Sequence, residues 1–101
     1  MESDETFTLD MLPNPIPVII DDPDLDFPKA VQIAKEQARE ICSDPMLLSW
    51  YEKKTGRYSP EEVSCGRGKP AWITYAESRG ADITIDINEG AYIFIYYDFV
   101  K

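Results

Sequence analysis

The chain has 101 residues, 44% of them apolar and 29% charged, which allows one core that buries roughly two-thirds of the unfolded surface but not two ordinary domains. Histidine is absent, which excludes Ser-His and Cys-His nucleophile pairs, imidazole general bases and histidine metal ligands. The net charge of −9 opposes tight binding to nucleic acids, and the two cysteines lack the spacing of a disulfide framework or zinc site. We expect a single domain with no cofactor, no metal and no nucleic-acid partner.

The negative charge lies almost entirely at the N-terminus. Residues 1–26 contain eight acidic residues and no Lys or Arg, whereas residues 27–70 contain six acidic and eight basic residues. The start, MESDETF, lacks the basic and apolar regions of a secretory signal, and the apolar run at residues 91–97 is far shorter than the ~18–20 residues that span a bilayer. We therefore expect a cytoplasmic protein with no membrane partner, whose mildly basic middle is able to hold a small anion.

The acidic N-terminal segment, residues 1–26, contains one or two candidate strands. TFTLDML, residues 6–12, alternates apolar and polar side chains, which predicts a half-buried strand. PNPIP, residues 13–17, is expected to interrupt regular structure because proline fixes φ and removes a ladder donor. The following VIID, residues 18–21, is a candidate short edge strand.

Residues 27–69 are predicted to be helical. The main helix covers FPKAVQIAKEQAREIC, with Asp26 as its N-cap and Pro28 in its first turn. A second short helix, MLLSWYEKK, is predicted to end at Gly56, and SPEE at residues 59–62 has the form of a capping box that begins one further turn. The predicted buried stripe of the main helix consists of Phe27, Ala30, Val31, Ala34, Ala38, Ile41 and Cys42.

Residues 70–101 are predicted to form a three-stranded antiparallel meander. Its strands are AWITYAE, DITIDIN and AYIFIYYDF, joined by turns at residues 78–80 and 88–90. Together with the helices, this pattern predicts an α+β fold of two layers, in which one main helix and short helices pack on a mostly antiparallel sheet.

The last strand is apolar on both sides, so the side away from the helices needs a cover or a partner. A three-residue loop with Gly90 in the left-handed region would leave Tyr92, Phe94 and Tyr96 on the far side. A two-residue turn would exchange them for the isoleucines. Because aromatic residues are enriched in interfaces, the row of three rings is our candidate interface for a homodimer or another protein partner. The alternative is that the N-terminal strand covers this side within the chain.

The loop VSCGRGKPAW, residues 63–72, combines a thiol, two glycines and two cations. It is not a P-loop, because Val63 and Pro70 stand where glycine and Ser or Thr are required. It is not a Cys-x5-Arg phosphatase loop either, because Ala71 stands at the arginine position. Arg67 and Lys69 are expected to lower the pKa of the Cys65 thiol, whereas its position at the end of a helical turn is expected to raise it. The sequence therefore allows either a reactive cysteine or an ordinary buried one. The candidate ligand-binding residues are Cys65, Arg67, Lys69 and the nearby Tyr58.

The run DPMLLSWYEKKTGRYSPEEVSCGRGKPAW, residues 44–72, together with the terminal strands resembles a small uncharacterised prokaryotic protein family of unknown function. The resemblance implies a stand-alone prokaryotic domain and brings no functional residues with it. We hypothesise a non-enzymatic interaction or binding module that self-associates through its aromatic sheet face, with no catalytic residues. The alternative is a small enzyme or a thiol-dependent anion-binding protein centred on Cys65, Arg67 and Lys69.

Overall fold

The computed structural model describes residues 11–59 and 71–99. Five strands form one sheet in the order β1-β4-β5-β2-β3, in which β1 runs parallel to β4 and the other three pairs are antiparallel. Helices α1 and α2 pack on opposite faces of this sheet. The predicted α+β class and mostly antiparallel sheet are therefore confirmed. The elements in chain order are β1 (Pro15–Val18), α1 (Phe27–Ile41), β2 (Pro45–Glu52), β3 (Arg57–Ser59), α2 (Ala71–Ser78), β4 (Ile83–Ile87) and β5 (Tyr92–Asp98).

Helix α1 begins where the sequence predicts. The Asp26 carboxylate accepts a hydrogen bond from the backbone N–H of Lys29 at 3.1 Å, which satisfies one of the free donors of the first turn. The predicted stripe is wrong at Ile41, the last helical residue, whose side chain is exposed. The small side chains of the stripe allow close contact with the sheet, and those with no exposed surface are Ala30, Ala34 and Ala38.

The segment predicted as a second helix, MLLSWYEKK, lies instead mainly in strand β2. Because β5 is apolar on both faces, it needs a hydrogen-bonded neighbour on each edge, and β2 occupies the edge opposite β4. Side chains of β2 alternate between the two helices: the Trp50 ring lies 4.6 Å from that of Phe27 in α1, and Tyr51 stacks on Trp72 of α2. Gly56, predicted as a helix stop, lies in the β2–β3 turn with φ of 75°.

The segment predicted as the first strand of the meander, AWITYAE, is helix α2. Its apolar residues alternate, but Trp72, Ile73 and Ala76 also share one helical face, and all three are buried. The helix ends before Gly80, which has φ of 81°, and the Ala81 N–H donates to the Ala76 carbonyl as in a Schellman motif. The predicted turn at residues 78–80 is therefore a helix end, and the predicted meander is reduced to the hairpin of β4 and β5.

Strand β1 lies at the edge of the sheet and includes part of the segment PNPIP, so the predicted interruption there is wrong. The Thr84 N–H donates to the Asn14 carbonyl, and the Asn88 N–H donates to the Val18 carbonyl. The even-numbered residues of this segment therefore face β4, and alternate residues face outward. Each outward residue from position 13 to 17 lacks an N–H group, which is why proline is tolerated here: these residues are Pro13, Pro15 and Pro17.

The other N-terminal predictions have mixed outcomes. Most of TFTLDML lies outside the described residues, while Met11 and Leu12 are not in a strand and Leu12 is buried beneath α2. The predicted edge strand VIID is displaced, because β1 ends at Val18. Beyond it the Asn88 side chain continues the pairing: its Oδ1 accepts from the Ile20 N–H at 2.8 Å, and its Nδ2 donates to the Ile20 carbonyl at 3.1 Å.

Candidate functional site

The aromatic row predicted as an interface lies inside the protein. The isoleucines of β4 stand directly opposite the three rings on the same face of the sheet, and α1 covers that face. Phe94 has no exposed surface, and both tyrosines are buried. The prediction of an open interface at Tyr92, Phe94 and Tyr96 is therefore wrong.

The loop between β4 and β5 explains this arrangement. Four residues, 88–91, connect Ile87 to Tyr92, and these two residues pair directly. Asn88, Glu89 and Gly90 all have positive φ, of 53°, 54° and 94°. The loop is one residue longer than predicted, and because side chains alternate with a period of two, one residue moves the rings to the helix side.

Burial changes the acid–base properties of this face. Burial raises the pKa of Tyr96 to about 12. It also raises the pKa of Tyr92, with smaller contributions from the charges of Glu52 and Asp26. Both hydroxyls therefore stay protonated at neutral pH, as expected of core residues.

The reverse face of β5 is covered by α2. The rings of Tyr51 and Trp72 stack with their centroids 5.1 Å apart and their planes within 5° of parallel. The central strand is thus buried on both faces within one chain. The buried residues on this side are Leu12, Tyr51, Trp72, Ile73, Ala76, Ile93 and Ile95.

Of the four predicted ligand-binding residues, only Tyr58 is among those the structure describes. It lies in β3 opposite Tyr51 and packs, half-buried, against the core beneath α2. Cys65, Arg67 and Lys69 lie outside the described residues, as does the helical turn expected after Ser59, so anion binding by this loop stays a prediction. Within residues 11–59 and 71–99, no three acidic or cysteine side chains are grouped to hold a metal, and neither helix is long and apolar enough to cross a bilayer.

The exposed apolar side chains gather at one end of the sheet. Among the described residues five large apolar side chains are exposed, and four of them flank the start of β2 or the end of β5. The fifth, Ile19, follows β1 at the opposite edge. We name the four residues the β2 rim: Ile41 (51% exposed), Met46 (44%), Leu47 (38%) and Phe99 (64%).

Pairing with β5 brings the rim residues together. Met46 stands opposite Tyr97 on the α2 side, whereas Leu47 projects from the α1 side. The Phe99 ring meets the Tyr97 ring edge-on, with centroids 6.1 Å apart. Ile41 ends α1, shortly before β2 begins. The rim therefore presents apolar groups on both sides of one strand edge.

The rim coincides with an unpaired stretch of strand backbone. β3 pairs only with residues 50–52, so within the described ranges no strand hydrogen-bonds to the outer side of residues 45–48. The regular pairing of β2 with β5 shifts between Leu47 and Ser49, as in a β-bulge. The buried Ser49 hydroxyl has no hydrogen-bond partner in the part of the chain that the structure describes. An open edge with apolar side chains is a template for another strand.

Carboxylates border the rim. Asp98 Oδ1 accepts a hydrogen bond from the Asp44 N–H at 3.2 Å, and Asp82 Oδ2 accepts one from the Asp98 N–H at 2.7 Å. Burial, followed by the charges of Asp98 and Asp82, raises the pKa of the Cys42 thiol. Cys42 is therefore an unreactive packing residue, and what this end of the molecule offers a partner is apolar contact within an acidic border.

The sequence does not indicate the rim, because its pattern predicts that MLLSWYEKK is a helix. In a helix, the side chains of Met46 and Leu47 would point about 100° apart around the axis, whereas in β2 they project from opposite faces of an edge strand. The sequence signal that points to the strand is that β5 is apolar on both faces, as is typical of a central strand with a neighbour on each edge. The predicted meander gives β5 a neighbour on one edge, so a second strand has to come from elsewhere in the chain.

The described residues define a class of protein: a small α+β domain with a mixed five-stranded sheet and a helix on each face. The chain belongs to the family described as domain of unknown function DUF5619, which it matches over residues 13–96.

Two similar proteins come from the archaeon Archaeoglobus fulgidus. One is an uncharacterized protein, 37% identical over 81 residues, which cover 75% of this chain and 87% of the relative. The other is a novel protein with a crystal structure, which matches with a TM-score of 0.66 and 29% identity over 89% of this chain and 99% of that chain. The predicted resemblance to a small uncharacterised family is confirmed.

Proposed function

We propose that the protein is a non-enzymatic interaction module that self-associates through the β2 rim. The observation that carries the proposal is that four exposed apolar side chains coincide with backbone at residues 45–48 whose outer side no described strand pairs. Leaving both exposed on a monomer would create an aggregation-prone edge, whereas association buries both.

The distribution of the other apolar residues supports the choice of this surface. Both faces of β5 are already covered by helices of the same chain, so the aromatic residues there are not available to a partner. Outside the rim, Ile19 is the one large apolar side chain with substantial exposure among the described residues. A single exposed apolar residue is normal on a protein surface, whereas a cluster points to contact with another molecule.

Light scattering on the purified chain tests this proposal. The measured mass of the wild type should rise from one copy toward two as its concentration increases over roughly 10–500 μM, a range suited to a small interface. Met46→Lys and Leu47→Lys place a charge on side chains that are already exposed, so the fold should persist while association is lost. Circular dichroism and urea denaturation check the fold of each variant.

Ile19→Lys is the matched control, because it adds the same charge to an exposed apolar residue at the opposite edge of the sheet. It should associate as the wild type does. A wild type that stays monomeric over the whole range would overturn the proposal, and so would equal weakening by Ile19→Lys and the rim variants.

A further inference from the structure

We infer that two copies of this chain join by antiparallel pairing of their β2 strands about Leu47, and that the assembly closes at two copies. This inference rests on the proposed function and specifies its geometry. It would give one continuous sheet with five strands from each copy.

The hydrogen bonds of β2 identify which backbone groups face β5 and which face the outer edge of the sheet. The Phe99 N–H donates to the Asp44 carbonyl at 3.0 Å, so the backbone of Asp44 faces β5. Alternate residues of an antiparallel strand face the same neighbour, so Met46 also faces β5. Pro45 and Leu47 then face the open edge. Because proline has no N–H, Leu47 is the residue of this stretch that offers both a donor and an acceptor.

A twofold axis beside Leu47 provides hydrogen-bond partners for the outward N–H and C=O groups of Leu47. Each Leu47 donates its N–H to the Leu47 carbonyl of the other copy, which forms a hydrogen-bonded pair. A register with Met46 opposite Leu47 is excluded, because residues opposite each other must both face the partner strand or both face away. In the Leu47 register the two leucine side chains meet on the α1 side, where a cross-strand apolar pair is favourable.

The acidic border does not oppose this arrangement. Pairing between the copies is limited to residues 45–49, because β3 occupies the outer side of Trp50. Asp44 lies just beyond this stretch, three residues from the axis, so the two Asp44 residues are separated by about six strand rises, or roughly 20 Å. This distance exceeds the ~8 Å screening length at physiological ionic strength. Repulsion between these carboxylates is therefore weak, whereas the apolar residues lie close to the axis.

The opposite edge of the sheet explains why the assembly stops at two copies. β1 forms that edge, and its outward backbone positions from 13 to 17 are all prolines, which have no N–H to donate. Edge prolines prevent the addition of a strand. A copy that has paired through β2 therefore cannot add a third copy by strand pairing at β1, and we expect the contact to be isologous and closed.

The size of the rim sets the expected affinity of one copy for the other. A fully buried aromatic side chain accounts for about 150–250 Å², the aliphatic rim residues are smaller, and all four are about half exposed, so two copies bury at most on the order of 1,000 Å² once the backbone edge is included. This lies at the low end for specific interfaces, which places the dissociation constant in the micromolar range or above.

Disulfide trapping tests the register. In a Cys65→Ser background, the buried Cys42 does not compete, and Leu47→Cys should form an interchain disulfide under mild oxidation because its two copies face each other across the axis. Met46→Cys is the matched control: its two copies are offset by two residues, which puts their Cα atoms more than about 7 Å apart and beyond bridging distance. Non-reducing gels and mass spectrometry measure the yield.

Several-fold more disulfide from Leu47→Cys than from Met46→Cys supports the register. If the wild type self-associates but Met46→Cys crosslinks as well as Leu47→Cys, the strand pairing is wrong and the self-association stands. If the wild type is monomeric by light scattering and neither variant crosslinks, both the register and the proposed function are overturned.

Discussion

Glu89 holds a backbone conformation that glutamate rarely adopts. Its φ is 54° and its side chain is exposed. Burial raises the pKa of Asp86, and the charge of Glu89 adds a smaller contribution in the same direction. The left-handed region costs a residue with a Cβ roughly 1–2 kcal/mol, part of which glycine recovers. We expect Glu89→Gly to increase the free energy of unfolding by about 0.5–1 kcal/mol, measured by urea denaturation.

Glu36→Gly provides the comparison, because Glu36 is exposed within α1, where φ is negative. Glycine in a helix interior should lower the free energy of unfolding by about 1 kcal/mol. If both glycine variants were destabilised alike, the strain attributed to Glu89 would be wrong.

Tyr96 makes the fold sensitive to alkaline solution. Its pKa is about 12 in the folded protein, whereas the pKa of an unperturbed tyrosine is about 10. Between these values the unfolded chain loses the proton while the folded chain retains it. Its contribution to stability is therefore fully present below pH 10 and declines by up to about 1.4 kcal/mol per pH unit as pH rises toward 12. The raised pKa of Tyr92 acts in the same direction.

Tyr96→Phe isolates this effect because it removes the ionisable group and keeps the ring. Urea denaturation on either side of pH 10 should show the variant losing less stability than the wild type as pH rises. Parallel loss in both proteins would assign the alkaline sensitivity to other groups.

At the scale of elements, local signals were sufficient for α1 and insufficient for β2 and α2. The N-cap at Asp26 and the alanine spacing of α1 are readable within a few residues, and the helix lies where they predict. The seven residues AWITYAE satisfy both a strand period and one helical face, and only contact with the sheet decides between them. MLLSWYE became a strand because β5 required a second neighbour, which is a non-local cause.

The outward positions of β1 are prolines, so this edge lacks N–H groups that could pair with another strand. Its prolines at outward positions read in the sequence as a break, but they are compatible with an edge strand whose hydrogen bonds all run to one side. We expect Pro15→Thr/Pro17→Thr to restore two outward donors and so open a second edge to association. Sedimentation velocity should detect species larger than the two-copy assembly in this variant, and the wild type should contain none.

The same change combined with Leu47→Lys separates the two edges. This triple variant should be limited to association through β1. If Pro15→Thr/Pro17→Thr forms no larger species at any concentration, the prolines are not what protects this edge.

At the scale of the whole molecule, the α+β class follows from composition and periodicity, but the candidate surface does not. The two apolar sides of β5 show in the sequence that both faces need covering, yet one residue in the length of the preceding loop, residues 88–91, decides which rings face which helix. The rim depends on where β3 stops along β2. That limit is set by strand pairing, which no single segment of the sequence encodes.

The position of β5 also has a consequence for biosynthesis. This central strand follows every other described element in the sequence, and both β4 and β2 depend on it for hydrogen-bonded neighbours. Translation therefore makes α1, β2 and α2 before the strand that organises them. Until β5 has paired, the apolar sides of β2 and α2 lack their cover, so we expect the chain to be most prone to aggregation before this last strand docks.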